Sequence, residues 1–203
     1  MNAYFVTGTD TEVGKTTFSV HWLRWLRARG RKVAVLKPVA SGAQWCPKRK
    51  RLVNDDALAL QQAAGDWQPL EEVNPFVFEP PIAPHIAAKQ QNQPLSIAEI
   101  EAKTRHAFAY DVDTLVIEGA GGFLLPLNER ETLADWVQQK QLPTILVVGL
   151  RLGCLNHALL TIESIQNRGL QLVGWVANIL NVDMPMLAEN LATLRTMLPA
   201  PQL

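Results

Sequence analysis

Residues 8–17, GTDTEVGKTT, sit between the apolar run Tyr4-Phe5-Val6-Thr7 and a stretch with helical periodicity. A strand, a glycine-bracketed loop and a helix in that order confine the chain to few folds. Gly14-Lys15-Thr16 stands at the helix entrance. Glycines let the backbone approach an anion, successive N–H groups and the helix N-terminus face it, and the lysine adds a mobile positive charge. A hydroxyl directly after the lysine is placed to ligate Mg²⁺. The ligand this suits is a nucleoside triphosphate. The strict pattern puts its first glycine at position 9, where Thr9 stands, with Gly8 one step earlier. The competing reading, an ordinary surface turn, is disfavoured by the strand before and the helix after.

Beyond the loop, apolar runs and helical patterns alternate. Residues 15–29 read as a helix stopped by Gly30, 33–36 as a buried strand closed by Lys37-Pro38, and 55–64 as a helix ending at Gly65. Residues 41–54 read as loop, carrying the run Lys48-Arg49-Lys50-Arg51, which in a chain of no net charge reads as a solvated loop before a nucleic-acid site. Residues 73–94, with five prolines, form the least regular stretch, and Ser96 with Glu99 forms a capping-box pair opening a helix to about Ala109. Strands follow at 114–117, 144–148 and 172–177, and helices at 133–139, 155–168 and 186–197. Continuous apolar strands alternating with helices predict an α/β fold: a mostly parallel central sheet covered by helices on both faces, in three layers.

The 203 residues fit a single domain, with no internal repeat or linker. Nineteen basic residues balance nineteen acidic ones, which argues against a broad surface for nucleic acid or anionic lipid. Cys46 and Cys154 lack disulfide or metal spacing. The first strand begins almost at Met1, leaving no room for a signal peptide, and no apolar run approaches a membrane span. A cytoplasmic enzyme with neither nucleic-acid nor membrane partner is expected.

In an open parallel sheet, ligands bind beyond the carboxyl ends of the strands. The unusual residues fall there: the loop after the first strand, Lys37 after the second, and Glu118 with Gly119, Gly121 and Gly122 after the third. Gly149 to Asn156 follows the fourth and Asn178 ends the fifth. Each taken alone keeps a structural alternative. Glu118 is either a Mg²⁺ ligand or an exposed strand-end glutamate. Lys37 either holds a second anion or snorkels. Asp55 and Asp56 open a helix, where at least one is expected to cap. Asn156 and His157 are read as a helix start, and His85 as structural.

The blocks GTDTEVGKT, KPVASG, NDDALAL, VNPF, APHIAA, IEGAGG, LPTILVVGLRLGCLNHALLT and GWVAN occur in an order that resembles the dethiobiotin synthetases. The resemblance runs from Tyr4 to Pro201. It implies a P-loop NTPase fold and closure of a cyclic urea on 7,8-diaminopelargonate with CO₂, using ATP and Mg²⁺. It further implies that Glu12, Val13, Gly14, Lys15, Thr16 and Thr17, with Gly121, hold the nucleotide, and that Asn178 contacts adenine. Thr16, Asp56 and Glu118 would surround Mg²⁺, which selects Asp56 over Asp55. Lys37 and Lys15 are the implied catalytic groups. Thr11, Lys37 and Ser41 would lie around the diamine and its carbamate. The family's site lies at a homodimer interface, so Gly153, Cys154, Leu155 and Asn156 would receive the substrate carboxylate from a neighbouring subunit.

Two alternatives stay open. Nucleotide-switch ATPases share a related fold and act on protein, DNA or membrane partners; their loop carries an early lysine where Thr9-Asp10 stands here. The dethiobiotin synthetases also continue past the Pro199-Ala200-Pro201 segment with a loop over the base, and the sequence read here runs to Leu203. A weakly active paralogue without that loop is the second alternative.

Overall fold

The computed structural model describes residues 1–180 and 182–203. In chain order they form β1 (Asn2–Gly8), α1 (Lys15–Ala28), β2 (Val33–Leu36), β3 (Val39–Ala40), β4 (Gln44–Cys46), β5 (Arg51–Val53), α2 (Asp55–Ala64), α3 (Leu70–Val73) and β6 (Phe76–Val77). There follow α4 (Pro84–Gln90), α5 (Ile97–Thr104) running into a 3₁₀ turn (Arg105–Ala109), β7 (Thr114–Glu118), α6 (Leu133–Gln139), β8 (Thr144–Leu150), α7 (Cys154–Asn167), β9 (Leu172–Ile179) and α8 (Leu187–Met197).

The central sheet has the order β2-β7-β1-β8-β9, every pair parallel. The chain starts in the middle at β1, winds out through β2 and back to β7, then crosses to β8 and β9. The winding reverses at β1, so a crevice opens beyond its carboxyl end.

Side-chain alternation along the strands divides the core. Val33, Val35, Val116 and Val6 face α1 and α2, packing with Leu23 and Leu60. Ala34, Leu36, Leu115, Ile117 and Phe5 point the other way, against Ile100 of α5 and Leu133 and Trp136 of α6. Leu146 and Val148 of β8 bury under α7 and α8 with Ile162 and Leu194. Both faces are covered, so the strands are apolar at consecutive positions, as expected for parallel pairing. At the sheet's edge, Trp175 N–H donates to Pro201 O (3.0 Å) and Leu203 N–H to Trp175 O (2.9 Å), laying the last residues along β9.

Several local expectations need correction. Residues 41–54 are not plain loop: β4 and β5 pair antiparallel, Trp45 opposite Leu52, with Lys48, Arg49 and Lys50 in the turn. The proline-rich stretch holds a helix, because Pro84 at its first position lacks the N–H that would be unsatisfied there anyway. Neither Asp55 nor Asp56 caps α2. Asn54 does, its side chain accepting from Ala57 N–H at 3.2 Å, a bond worth about 1 kcal/mol in such positions. Ser96 does cap α5, accepting from Glu99 N–H. Cys46 and Cys154 are both free thiols. Among the described residues no helix is long and apolar enough to cross a membrane.

Candidate active site

The loop after β1 is fixed by one apolar residue. Val13 is buried and fits between Gly8 and Gly149. A Cβ on Gly8 would stand 2.5 Å from Val13 Cγ2, and one on Gly149 2.8 Å from Val13 Cγ1. This gives Gly8 a reason to stand one place earlier than the strict motif: it clears space for Val13. Thr9 ties the loop to β8, its N–H donating to Val147 O at 3.0 Å, while its hydroxyl accepts from Gly149 N–H at 3.4 Å. Asp10 forms an ion pair with Arg151, a link across the crevice that no local motif signals. Lys15 folds back over the loop, Nζ donating to Asp10 O (2.8 Å) and Gly121 O (2.6 Å). Gly14 has φ 92°, a left-handed conformation, and its α-carbon lies against Asn178. Asn178 Nδ2 donates to Val13 O at 2.9 Å.

The second centre follows from strand register. Leu36 pairs with Ile117, so the next residue, Lys37, comes abreast of Glu118. Both prolong the row that holds Val33, Val35 and Val116, and so point toward α1. Lys37 Nζ donates to Glu118 Oε1 at 2.7 Å and stands 3.4 Å from Asp56 Oδ2 at the start of α2. Thr16, in the first turn of α1, donates its hydroxyl to the same Glu118 Oε1 at 2.8 Å. The backbone of Lys37 is clamped by Val73-Asn74: its N–H donates to Val73 O (2.7 Å), and Asn74 Nδ2 donates to its carbonyl (2.8 Å).

Glu118 is fully buried and its Oε2 has no hydrogen-bond partner. A buried carboxylate oxygen without a donor is costly unless something else supplies positive charge. Among the described residues no three His, Cys, Asp or Glu gather into a metal cage. One hydroxyl and two carboxylates are nonetheless a set that suits Mg²⁺, which takes few protein ligands and completes its shell with water and phosphate oxygens. Thr16, Asp56 and Glu118 therefore fit such an ion.

These residues border one cleft of about 1030 Å³. Thr11, Glu12, Gly14, Lys15, Thr16, Thr17, Lys37, Ser41, Asp56 and Gly121 line it. Glu118 lies beneath, reached through Lys37 and Thr16. Val13 and Asn178 lie behind the loop, outside the lining. Ser41 Oγ is buried without a partner. The opposite wall is apolar and was not foreseen: Pro81 to Pro84, and Leu124 to Pro126. Asn54 lines the cleft too, donating Nδ2 to Ser41 O at 3.1 Å. Gly153, Cys154, Leu155 and Asn156 are not brought to this cleft. They form the start of α7, where Gly153 has φ 94° and Cys154 is buried while Asn156 is exposed.

The two lysines respond oppositely to burial. For Lys37 burial favours the neutral amine, but Glu118 and Asp56 outweigh it and raise its pKa, so it stays an ammonium. Lys15 is pushed down to about 8, first by burial and then by the Lys37 charge, with Glu118, Asp56 and Asp10 opposing. Near pH 8 about half of the free protein therefore carries a neutral Lys15. A bound polyphosphate favours the ammonium, so nucleotide binding near pH 8 is expected to take up protons. Calorimetry in buffers of different ionisation enthalpy measures this, and net proton release would contradict it.

A phosphate loop at the central strand of a parallel sheet, with the sheet order and helix layers found here, defines the P-loop NTPase fold. A family profile described as an AAA domain matches residues 2–203. The chain is 50% identical over 200 residues to the ATP-dependent dethiobiotin synthetase of Cellvibrio japonicus, covering 98% of this chain and 86% of that one. It is 48% identical over 200 residues to an Escherichia coli K12 protein of the same name, covering 98% and 88%. Chloroplast FtsY of Physcomitrella patens superimposes with a TM-score of 0.52 at 18% identity, over 99% of this chain. This chain spans 56% of that protein, and the likeness speaks for the fold alone. The chain belongs to the ATP-dependent dethiobiotin synthetase family.

Proposed function

We propose that this chain is one ATP-dependent cyclo-ligase domain that closes a cyclic urea on 7,8-diaminopelargonate with CO₂, giving dethiobiotin, ADP and phosphate. The observation that carries this reading is that Lys15 and Lys37 line the same cleft, joined through Glu118 and Thr16. A triphosphate site and a second cationic site are thus next to each other, which a transfer from ATP to a carboxylated amine requires.

One substrate amine captures CO₂ as a carbamate. A carbamate oxygen takes the γ-phosphoryl group, giving a carbamic-phosphoric anhydride, and the second amine attacks its carbonyl and expels phosphate. Lys15 and the amides of residues 12–17 hold the phosphates, with Gly121 on the nucleotide side. Lys37, kept protonated by Glu118 and Asp56, faces the carbamate and the incoming phosphoryl oxygens. Phosphoryl transfer depends on such positioning and charge neutralisation more than on covalent help. Ser41, with its unpartnered hydroxyl, and Thr11 orient the diamine. Asn178 offers a carbonyl acceptor to the exocyclic amine of adenine. Mg²⁺, held by Thr16, Asp56 and Glu118, would neutralise charge on the phosphate oxygens.

At the start of α7 Cys154 N–H is taken by Arg151 O (3.0 Å), and the first-turn amides of Leu155 and Asn156 are left as a setting for a carboxylate. In a homodimer with a shared site, residues Gly153 to Asn156 of one subunit would hold the substrate tail of the other. A cytoplasmic setting, where ATP is supplied, goes with this reading. Phosphate release is expected to require both the diamine and bicarbonate. Hydrolysis indifferent to the diamine but stimulated by DNA or lipid would support a nucleotide switch instead. Mixing two inactive variants, Lys37→Ala and Asn156→Asp, is expected to restore up to about a quarter of the activity, because half of the re-sorted dimers would keep one intact site. No recovery would speak against a shared site.

A further inference from the structure

We propose that the β4–β5 hairpin is an electrostatic steering element that draws the anionic nucleotide toward the cleft; this rests on the triphosphate reading above. The hairpin's two feet are cleft wall. Ser41 stands before β4 and Asn54 and Asp56 follow β5, all three lining the cleft, and Asn54 Nδ2 is bonded to Ser41 O. Each strand has three residues, so the turn stands about 10 Å along the hairpin from its feet.

That turn carries Lys48, Arg49 and Lys50, all exposed. Arg51, which closes the turn opposite Cys46, is spent in an ion pair, donating to Glu71 at 2.8 Å. Among the described residues the three turn cations form no ion pair. Asp55 at the foot offsets one charge and leaves the turn positive. The chain's other basic stretch, Arg24 to Lys32, is partly neutralised, Arg31 pairing with Asp113 and Lys32 with Asp111. None of the three turn cations lines the cleft itself. Three charges about one Debye length from a polyanion site still act on the approaching ligand. Their effect belongs to the encounter, not to the bound state.

The test is stopped-flow association of a fluorescent, ribose-labelled MgATP analogue with the full chain and with the triple variant Lys48→Gln, Arg49→Gln, Lys50→Gln. At about 0.02 M salt the variant's association rate is expected to fall roughly 3–10-fold, converging with the parent by about 0.5 M. Dissociation rate and kcat at saturation stay the same. The charge-conserving set Lys48→Arg, Arg49→Lys, Lys50→Arg keeps the parent rate, which separates charge from a folding defect. Equal association rates at low salt overturn the proposal and leave the activity untouched. A loss that persists at high salt or lies in dissociation overturns it in favour of direct contact. Loss of retention on duplex DNA or anionic vesicles, with nucleotide association unchanged, assigns the tip to a macromolecular partner instead. If the parent chain does not bind the triphosphate at all, this proposal and the activity above fail together.

Discussion

Replacing Lys37 with alanine is expected to lower kcat about a thousand-fold while changing the dissociation constant for ATP by less than about threefold. A cation some 4 Å from developing negative charge contributes about 4 kcal/mol at an effective dielectric near 20, and each 1.36 kcal/mol of barrier is tenfold in rate. Lys15 and the loop amides, which hold the phosphates in this account, are left in place. The substitution also costs stability, because Glu118 is fully buried and loses its 2.7 Å partner. Breaking a buried pair from one side costs about 3–5 kcal/mol. Adding Glu118→Gln should return part of that stability and none of the turnover. Steady-state kinetics with denaturant unfolding of both variants separates the two effects. Near-normal turnover in Lys37→Ala would remove Lys37 from the chemistry.

Gly14→Ala is expected to disable nucleotide binding by about a hundred-fold or more. Two penalties coincide. Left-handed backbone at φ 92° costs a non-glycine residue about 1–3 kcal/mol. The added Cβ would stand 2.1 Å from Asn178 Nδ2 and 3.0 Å from its Cγ, so Asn178 must leave and give up its bond to Val13 O. Trimming the obstacle with Asn178→Ala in the same chain relieves the contact and not the backbone strain. The double variant should therefore recover melting temperature in part, with weak ATP affinity retained. Full recovery of affinity would show that the contact alone mattered.

Much of the architecture was legible because buried parallel strands announce themselves as unbroken apolar runs, and five of them stand between recognisable helices. What failed was short or contrary to local habit. Gln44-Trp45-Cys46 and Arg51-Leu52-Val53 are three-residue strands joined by a basic turn without the usual Asn-Gly signal. The proline cluster hid α4, since Pro84 serves as a helix start. Two adjacent aspartates drew attention away from Asn54, the residue that caps α2.

For the site, strand-end position singled out Lys37, Glu118 and Asn178, and the phosphate loop singled out Lys15 and Thr16. Their convergence was not legible locally. It depends on β2 and β1 both pairing with β7, and on Gly149 aligning with Asn178. The seat for Val13 between two glycines 141 positions apart in the chain, and the Asp10–Arg151 pair, exist only once β1 and β8 are neighbours. The start of α7 lies outside the cleft, so the role proposed for it requires a second copy of the chain.

Mass spectrometry of the product formed from 7,8-diaminopelargonate, ¹³C-bicarbonate and MgATP tests the central claim most directly. The account expects a product equal to the diamine plus one labelled carbonyl less two hydrogens, formed in step with ADP and phosphate. ADP and phosphate released while the diamine stays unaltered would contradict it.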